Sequence, residues 1–189
     1  MKIKEFRFLN PQEDFTDRRF YNWSRCYEWG YVLHVLKTYS NIKIHNTCCG
    51  PSEIHKQFHD ALCDSNNTVI NSDNAVTDMN SKFQNFKVYD LTTKDIEDTE
   101  QYDVVLCIST IEDLPGTEIE NVINNLLDQV KPGGRLIITC DYPMVSVELL
   151  EGILSHKCDR AEIILNGENS TYNDPIHSHL NVILIDIEK

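Results

Sequence analysis

Two apolar stretches constrain this chain most: Tyr102-Asp103-Val104-Val105-Leu106-Cys107-Ile108 and Lys131-Pro132-Gly133-Gly134-Arg135-Leu136-Ile137-Ile138-Thr139. Residues 104–108 and 136–139 are continuous apolar runs rich in β-branched side chains. That is the pattern of strands covered on both faces rather than one. A sheet covered on both faces is parallel and belongs to the α/β class. Between the runs, Ile119, Val122, Ile123, Leu126, Leu127 and Val130 recur at helical spacing. They predict an amphipathic crossover helix, with Thr117 and Glu120 forming a capping box at its start. Pro132 stops that helix, and Gly133 and Gly134 supply the backbone freedom for a tight turn into the next strand.

A chain of 189 residues is the size of one domain with a substantial core. The formal net charge of −13 argues against a nucleic-acid partner, because phosphate contacts need a basic face. No apolar run approaches the ~20 residues of a membrane span, and residues 1–10 alternate charged with apolar side chains instead of building a signal peptide. A soluble cytoplasmic protein with no membrane partner is expected. The seven cysteines are odd in number, sit mostly in apolar segments and include no C-x-x-C pair, as suits reduced thiols. Cys48-Cys49 reads as a small-residue turn, since adjacent side chains rarely converge on one ion. His55 and His59 stand four apart on one helix without an evident third ligand, so no metal site is expected.

Residues 42–47 predict a first strand that runs into Cys48-Cys49-Gly50-Pro51-Ser52, after which Ile54, Phe58, Ala61 and Leu62 mark a helix. Strand, tight loop and helix is the context in which backbone N–H groups approach a nucleotide. Residues 68–73 predict a second strand ending in Asp73, 27 positions after Asn46. An acid there can accept both ribose hydroxyls of a bound nucleotide; the other reading is a solvated turn acid in Asn71-Ser72-Asp73-Asn74. Residues 86–91 predict a third strand. The last two strands, 161–165 and 181–187, are joined by a polar stretch without helical periodicity. That suggests a hairpin and an antiparallel last strand.

Taken together, these segments resemble a class I S-adenosylmethionine-dependent methyltransferase, over about residues 42–189. The resemblance implies a doubly wound, mostly parallel seven-stranded sheet with an antiparallel last strand, the methyltransferase type of Rossmann-like fold. It divides the chain into an arm and capping helix, residues 1–40, and a cofactor-binding core, residues 41–189. The family writes D-x-G-x-G-x-G, or often D-x-G-C-G-P, after the first strand. Here Asn46, Cys48, Gly50 and Ser52 stand at the acidic and three glycine positions, so Cys49-Gly50-Pro51 fits while an amide replaces the acid and two glycines are lost. The implied cofactor is S-adenosylmethionine, with S-adenosylhomocysteine as product. Its implied contacts are Asn46, Cys48, Cys49, Gly50 and Ser52 in the loop, Asp73 at the ribose, Asp90 and Leu91 beside the adenine, and Ser109. A dehydrogenase would need an intact G-x-G-x-x-G, which the loop lacks.

Methyl transfer from a sulfonium is an in-line displacement, so catalysis is chiefly alignment, with a base needed only for a hydroxyl or protonated amine acceptor. Where the family often has Glu-His this chain has Glu112-Asp113. Asp113 is a candidate base if desolvation raises its pKa, and otherwise an acid at a helix start. His177 and His179, near Asp174, are the second choice. In the arm, Trp23, Tyr27 and Trp29 either flank the site mouth or seat the arm by packing. The reading is a methyltransferase for a small molecule or saccharide. The alternative is a catalytically degenerate member of the fold that binds cofactor or a partner chain, and an aminopropyl transferase is more remote. Oligomeric state is not legible.

Overall fold

The computed structural model describes residues 6–9, 19, 24–94, 99–156, 160–166 and 181–189. Its strands are β1 (Phe6–Leu9), β2 (Lys43–Thr47), β3 (Thr68–Asp73), β4 (Phe86–Val88), β5 (Tyr102–Ile108), β6 (Val130–Tyr142), β7 (Arg160–Asn166) and β8 (Asn181–Glu188). Its helices are α1 (Arg25–Leu36), α2 (Glu53–Leu62), α3 (Gly116–Gln129) and α4 (Val147–Ser155). One sheet holds the strands in the order β1-β7-β8-β6-β5-β2-β3-β4. Strands β2 to β8 form the expected seven-stranded, doubly wound arrangement. Within it β8 alone runs antiparallel to its neighbours, β6 and β7. An eighth strand, β1 from the arm, pairs parallel with β7 at the edge.

Alternation along the strands divides the core into two layers. Val104 and Leu106 join Ile44, Ile137 and Leu184 beneath Trp29 and Val32 of α1 and Phe58 and Leu62 of α2. Val105 and Cys107 join Leu136, Ile138 and Ile185 beneath Val122, Ile123 and Leu126 of α3 and Leu150 and Leu154 of α4. Each fully buried aliphatic side chain contributes roughly 1.5–3 kcal/mol relative to exposure. Tyr31 adds a polar fastening on α1, its hydroxyl donating to Asp186 Oδ2 on β8 at 2.8 Å. Asp103 has a structural role at the opposite end of the sheet, accepting from Lys43 N–H at 2.7 Å and from Lys131 Nζ at 2.9 Å.

Several boundaries differ from the sequence reading. Helix α3 begins at Gly116 behind Pro115, which places Thr117 inside the first turn, and no side-chain cap forms. The capping box is therefore absent. Residues 131–134 lie within β6, where Tyr102 pairs with Val130 before a register shift restores pairing from Val104 with Arg135. A side chain at Gly134 would place its Cβ 2.7 Å from the Asp103 carbonyl oxygen, so glycine is required by close backbone approach. Strand β4 stops at Val88 because Asp90 turns the chain, its Oδ1 accepting from Thr92 N–H at 2.9 Å and Thr92 Oγ1 at 2.8 Å. Helix α1 ends at Leu36.

Candidate active site

Parallel strands bring the carboxyl ends of β2, β3, β5 and β6 to one edge of the sheet, the edge at which open α/β sheets bind ligands. Asn166 at the end of β7 and Asn181 at the start of β8 stand at that edge too, since Asn181 pairs with Tyr142.

The loop after β2 is fixed by its neighbour strand. Cys49 N–H donates to Ser72 O at 2.9 Å, and Gly50 N–H donates to Asp73 Oδ2 at 3.2 Å. Gly50 has φ +71°, a conformation that glycine adopts without strain. Asn46 is buried, and its Nδ2 donates to Asn71 Oδ1 at 3.0 Å. The amide therefore replaces the family's acid within a neutral buried network, where a carboxylate would need a compensating charge. Burial pushes the Cys48 and Cys49 thiols each up to about 12, so both are neutral thiols near neutral pH. Among the described residues no group of three His, Cys, Asp or Glu side chains is placed to hold a metal ion.

The N-terminus of α1 lies across the ends of β5 and β6. Glu28 is fully buried. Its Oε1 accepts from Ser109 at 2.6 Å and from Thr139 at 2.5 Å, and its Oε2 from Ser24 at 2.7 Å. Arg25 completes the cluster, donating through Nη1 to Glu28 and to Ser109. Burial works to raise the Glu28 pKa, but Arg25 and the three hydroxyls outweigh it and hold the carboxyl below its ordinary range. Ser109, expected at the cofactor, is thus also the anchor for the arm.

Glu112 stands beside this cluster in a single helical turn, Ile111–Asp113. Its Oε2 is buried and has no hydrogen-bond partner among the described residues. Burial first, then the charges of Glu28, Asp141 and Asp113, pushes its pKa up to about 8. Between α1 and the loop after β2 lies a small cleft lined by Arg25, Trp29, Asn46, Cys48, His55 and Ile108, among others.

Of the residues expected at the site, Asn46, Cys48 and Cys49 line this cleft, while Gly50 and Asp73 are joined at its margin. Leu91 is buried and Asp90 exposed, one strand further out. Asp113 is exposed, so the desolvation on which its candidacy as base depends falls on Glu112 instead. His177, His179, Asp174 and Trp23 lie outside the described residues. Trp29 is 1% exposed and stacks on Phe58 with ring centroids 4.8 Å apart, which makes it core as well as cleft wall. Sequence reasoning missed Arg25 and Glu28. The available signal was a Ser24/Glu28 pair four apart in an otherwise aromatic helix start.

Comparisons agree with this geometry. A family model described as a methyltransferase domain matches residues 46–138. No curated protein sequence matches the chain significantly. The N-methyltransferase NodS from Bradyrhizobium japonicum, solved with S-adenosylhomocysteine, superposes with TM-score 0.65 at 12% identity, covering 95% of this chain and 94% of that one. The CurJ carbon methyltransferase gives TM-score 0.65 at 12% identity, covering 85% of this chain, which spans only 53% of that protein. The [4+2]-cyclase SpnF gives TM-score 0.59 at 10% identity, covering 97% of this chain and 86% of that one. Residues 46–138 thus match the methyltransferase-domain family, and the fold is that of the class I S-adenosylmethionine-dependent methyltransferases, whose cofactor is S-adenosylmethionine. Its site fits that cofactor: a cation, Arg25, and neutral polar groups at one end of the cleft, and an acid, Asp73, at the end of β3. Among the described residues no helix is long and apolar enough to cross a membrane.

Proposed function

We propose that this protein transfers a methyl group from S-adenosylmethionine to a small molecule or saccharide. The observation that carries the reading is the cleft itself, which meets the retained Gly50 of the loop and places Arg25 against Asn46 and Cys48 at the carboxyl ends of β2 and β5. When bound, the cofactor supplies an electrophilic methyl on a sulfonium. Arg25 pairs with its carboxylate, Asp73 accepts from the ribose hydroxyls, and Asp90 and Leu91 flank the adenine. Cys48, Cys49, Gly50 and Ser52 shape the wall between these ends. Glu28 orients Arg25 and Ser109 and holds α1 over the strand ends, which excludes water.

Glu112 is the preferred group for holding or moving a proton at the acceptor, through its unpartnered Oε2. A carboxyl with a pKa of about 8 exchanges a proton near neutral pH, as acid–base catalysis needs. Asp113 is the weaker choice because it is solvated, and His177 and His179 are the alternatives from the connection between β7 and β8. A small acceptor is supported by the net charge of −13, which opposes polyanionic substrates. Calorimetric titration with S-adenosylhomocysteine tests the reading. Binding is expected. No binding at millimolar ligand by folded protein would overturn it in favour of a non-catalytic member of the fold.

A further inference from the structure

The loop has kept one glycine and lost two, and the structure gives a reason for that pattern. A Cβ added to Gly50 would lie 2.4 Å from Cδ2 and 2.5 Å from Nε2 of His55, on the first turn of α2. Gly50 is therefore glycine to admit an imidazole of its own chain. Ser52, at the third glycine position, is the N-cap of α2, yet its hydroxyl caps no backbone N–H. It is hydrogen-bonded instead to His55 Nδ1, at 2.5 Å. Trp29 holds the ring from a third side, edge to face, with centroids 5.4 Å apart. Among the described residues Nε2 makes no hydrogen bond, although the ring lines the cleft beside Arg25.

We propose that His55 is a cofactor-contacting residue, its Nε2–H donating to the carboxylate end of S-adenosylmethionine in place of the contacts the altered glycine loop no longer offers. The inference rests on the methyltransferase reading above. It makes Gly50, Ser52 and His55 one unit: glycine gives the ring room, and the serine hydroxyl, donating to Nδ1, fixes the tautomer that leaves the proton on Nε2. Burial, with the charge of Arg25 beside it, pushes His55 down to about 4, so the ring is neutral at neutral pH and acts as a hydrogen-bond donor next to the cationic Arg25. On this account the departure at Ser52, with His55 beside it, is a substituted recognition device and not a decayed one.

The test compares two ligands that differ in the amino-acid end. Wild type, His55→Ala and His55→Phe are titrated calorimetrically with S-adenosylhomocysteine and with 5′-methylthioadenosine, and their unfolding is followed in parallel. His55→Phe keeps a ring for Gly50 and Trp29 to pack against, and so covers the event that the alanine variant does not fold. The expected result is an S-adenosylhomocysteine affinity at least about tenfold weaker in the variants, with methylthioadenosine affinity unchanged to within about twofold, as for loss of one hydrogen bond to a charged group. Equal loss for both ligands would mean that His55 only shapes the loop, and unchanged affinity for both would remove it from the site; either overturns the proposal. If wild type binds neither ligand, the methyltransferase reading fails and the proposal falls with it.

Discussion

The carboxylate of Glu28, in the first turn of α1, accepts a 2.6 Å hydrogen bond from the hydroxyl of Ser109, just past the end of β5. A helix that precedes the core in sequence is thereby fastened to the middle of the sheet, at the edge where ligands bind. Thr139 at 2.5 Å joins β6 to the same carboxylate.

Replacing Glu28 by alanine should cost about 3–5 kcal/mol, because it leaves the partly buried Arg25 and three hydroxyls without their acceptor. Urea unfolding measures this directly. A loss below about 1 kcal/mol would show that α1 is held by its apolar contacts alone.

The two buried carboxyls give opposite pH dependence. Glu28 has a folded pKa below its unfolded value, so its contribution is present above the ordinary value of 4.5 and is lost as pH falls below it. Glu112 has a folded pKa of about 8 against 4.5, so the folded state binds more protons and stability falls as pH rises between the two. Glu112→Gln should leave stability at pH ~4.5 nearly unchanged and raise it at pH ~8.5 by on the order of a few kcal/mol. Melting temperatures of both proteins across that range check the sign. A parallel pair of pH profiles would contradict the burial of Glu112.

Asp73→Ala should weaken S-adenosylhomocysteine binding by about 1–3 kcal/mol, the order for charge-assisted hydrogen bonds to ribose. Part of the loss comes through the loop, since Asp73 also receives Gly50 N–H at 3.2 Å and Ala75 N–H at 3.2 Å. Calorimetry on a variant with wild-type melting behaviour is the measurement. Undiminished affinity would move the ribose away from the end of β3.

Trp29→Ala should destabilise the fold by about 3–5 kcal/mol, the usual cost of emptying a buried aromatic site. The ring is 1% exposed against Phe58 and His55, which favours packing over a role at the site mouth for this residue. Denaturation beside ligand titration separates the roles. Full stability with impaired affinity would favour the site mouth instead.

The core of the fold was legible because its signals are local. Continuous apolar runs at 104–108 and 136–139 marked β5 and β6, and the helical spacing of Ile119 to Leu126 marked α3. Strand β1 was not legible, since Phe6-Arg7-Phe8-Leu9 is too short for periodicity and is ordered by pairing with β7, far along the chain. The start of α3 was misplaced because Pro115 takes the N-cap position and leaves Thr117 no capping role. The places of the loop after β2 and of Asp73 at the end of β3 could be read from position. Arg25 and Glu28 could not, because their partners are Ser109 and Thr139, and only the folded sheet brings α1 and the strand ends together. Glu112 was passed over for its neighbour because sequence does not distinguish a buried carboxyl from an exposed one.

A crystal structure of the protein with S-adenosylhomocysteine tests the central claim most directly. The account predicts the ligand at the carboxyl ends of β2, β3 and β5, with its carboxylate within hydrogen-bond distance of Arg25 and its ribose hydroxyls on Asp73. A ligand seated elsewhere, or a cleft still closed around Arg25 and His55 in crystals soaked at saturating ligand, would contradict it.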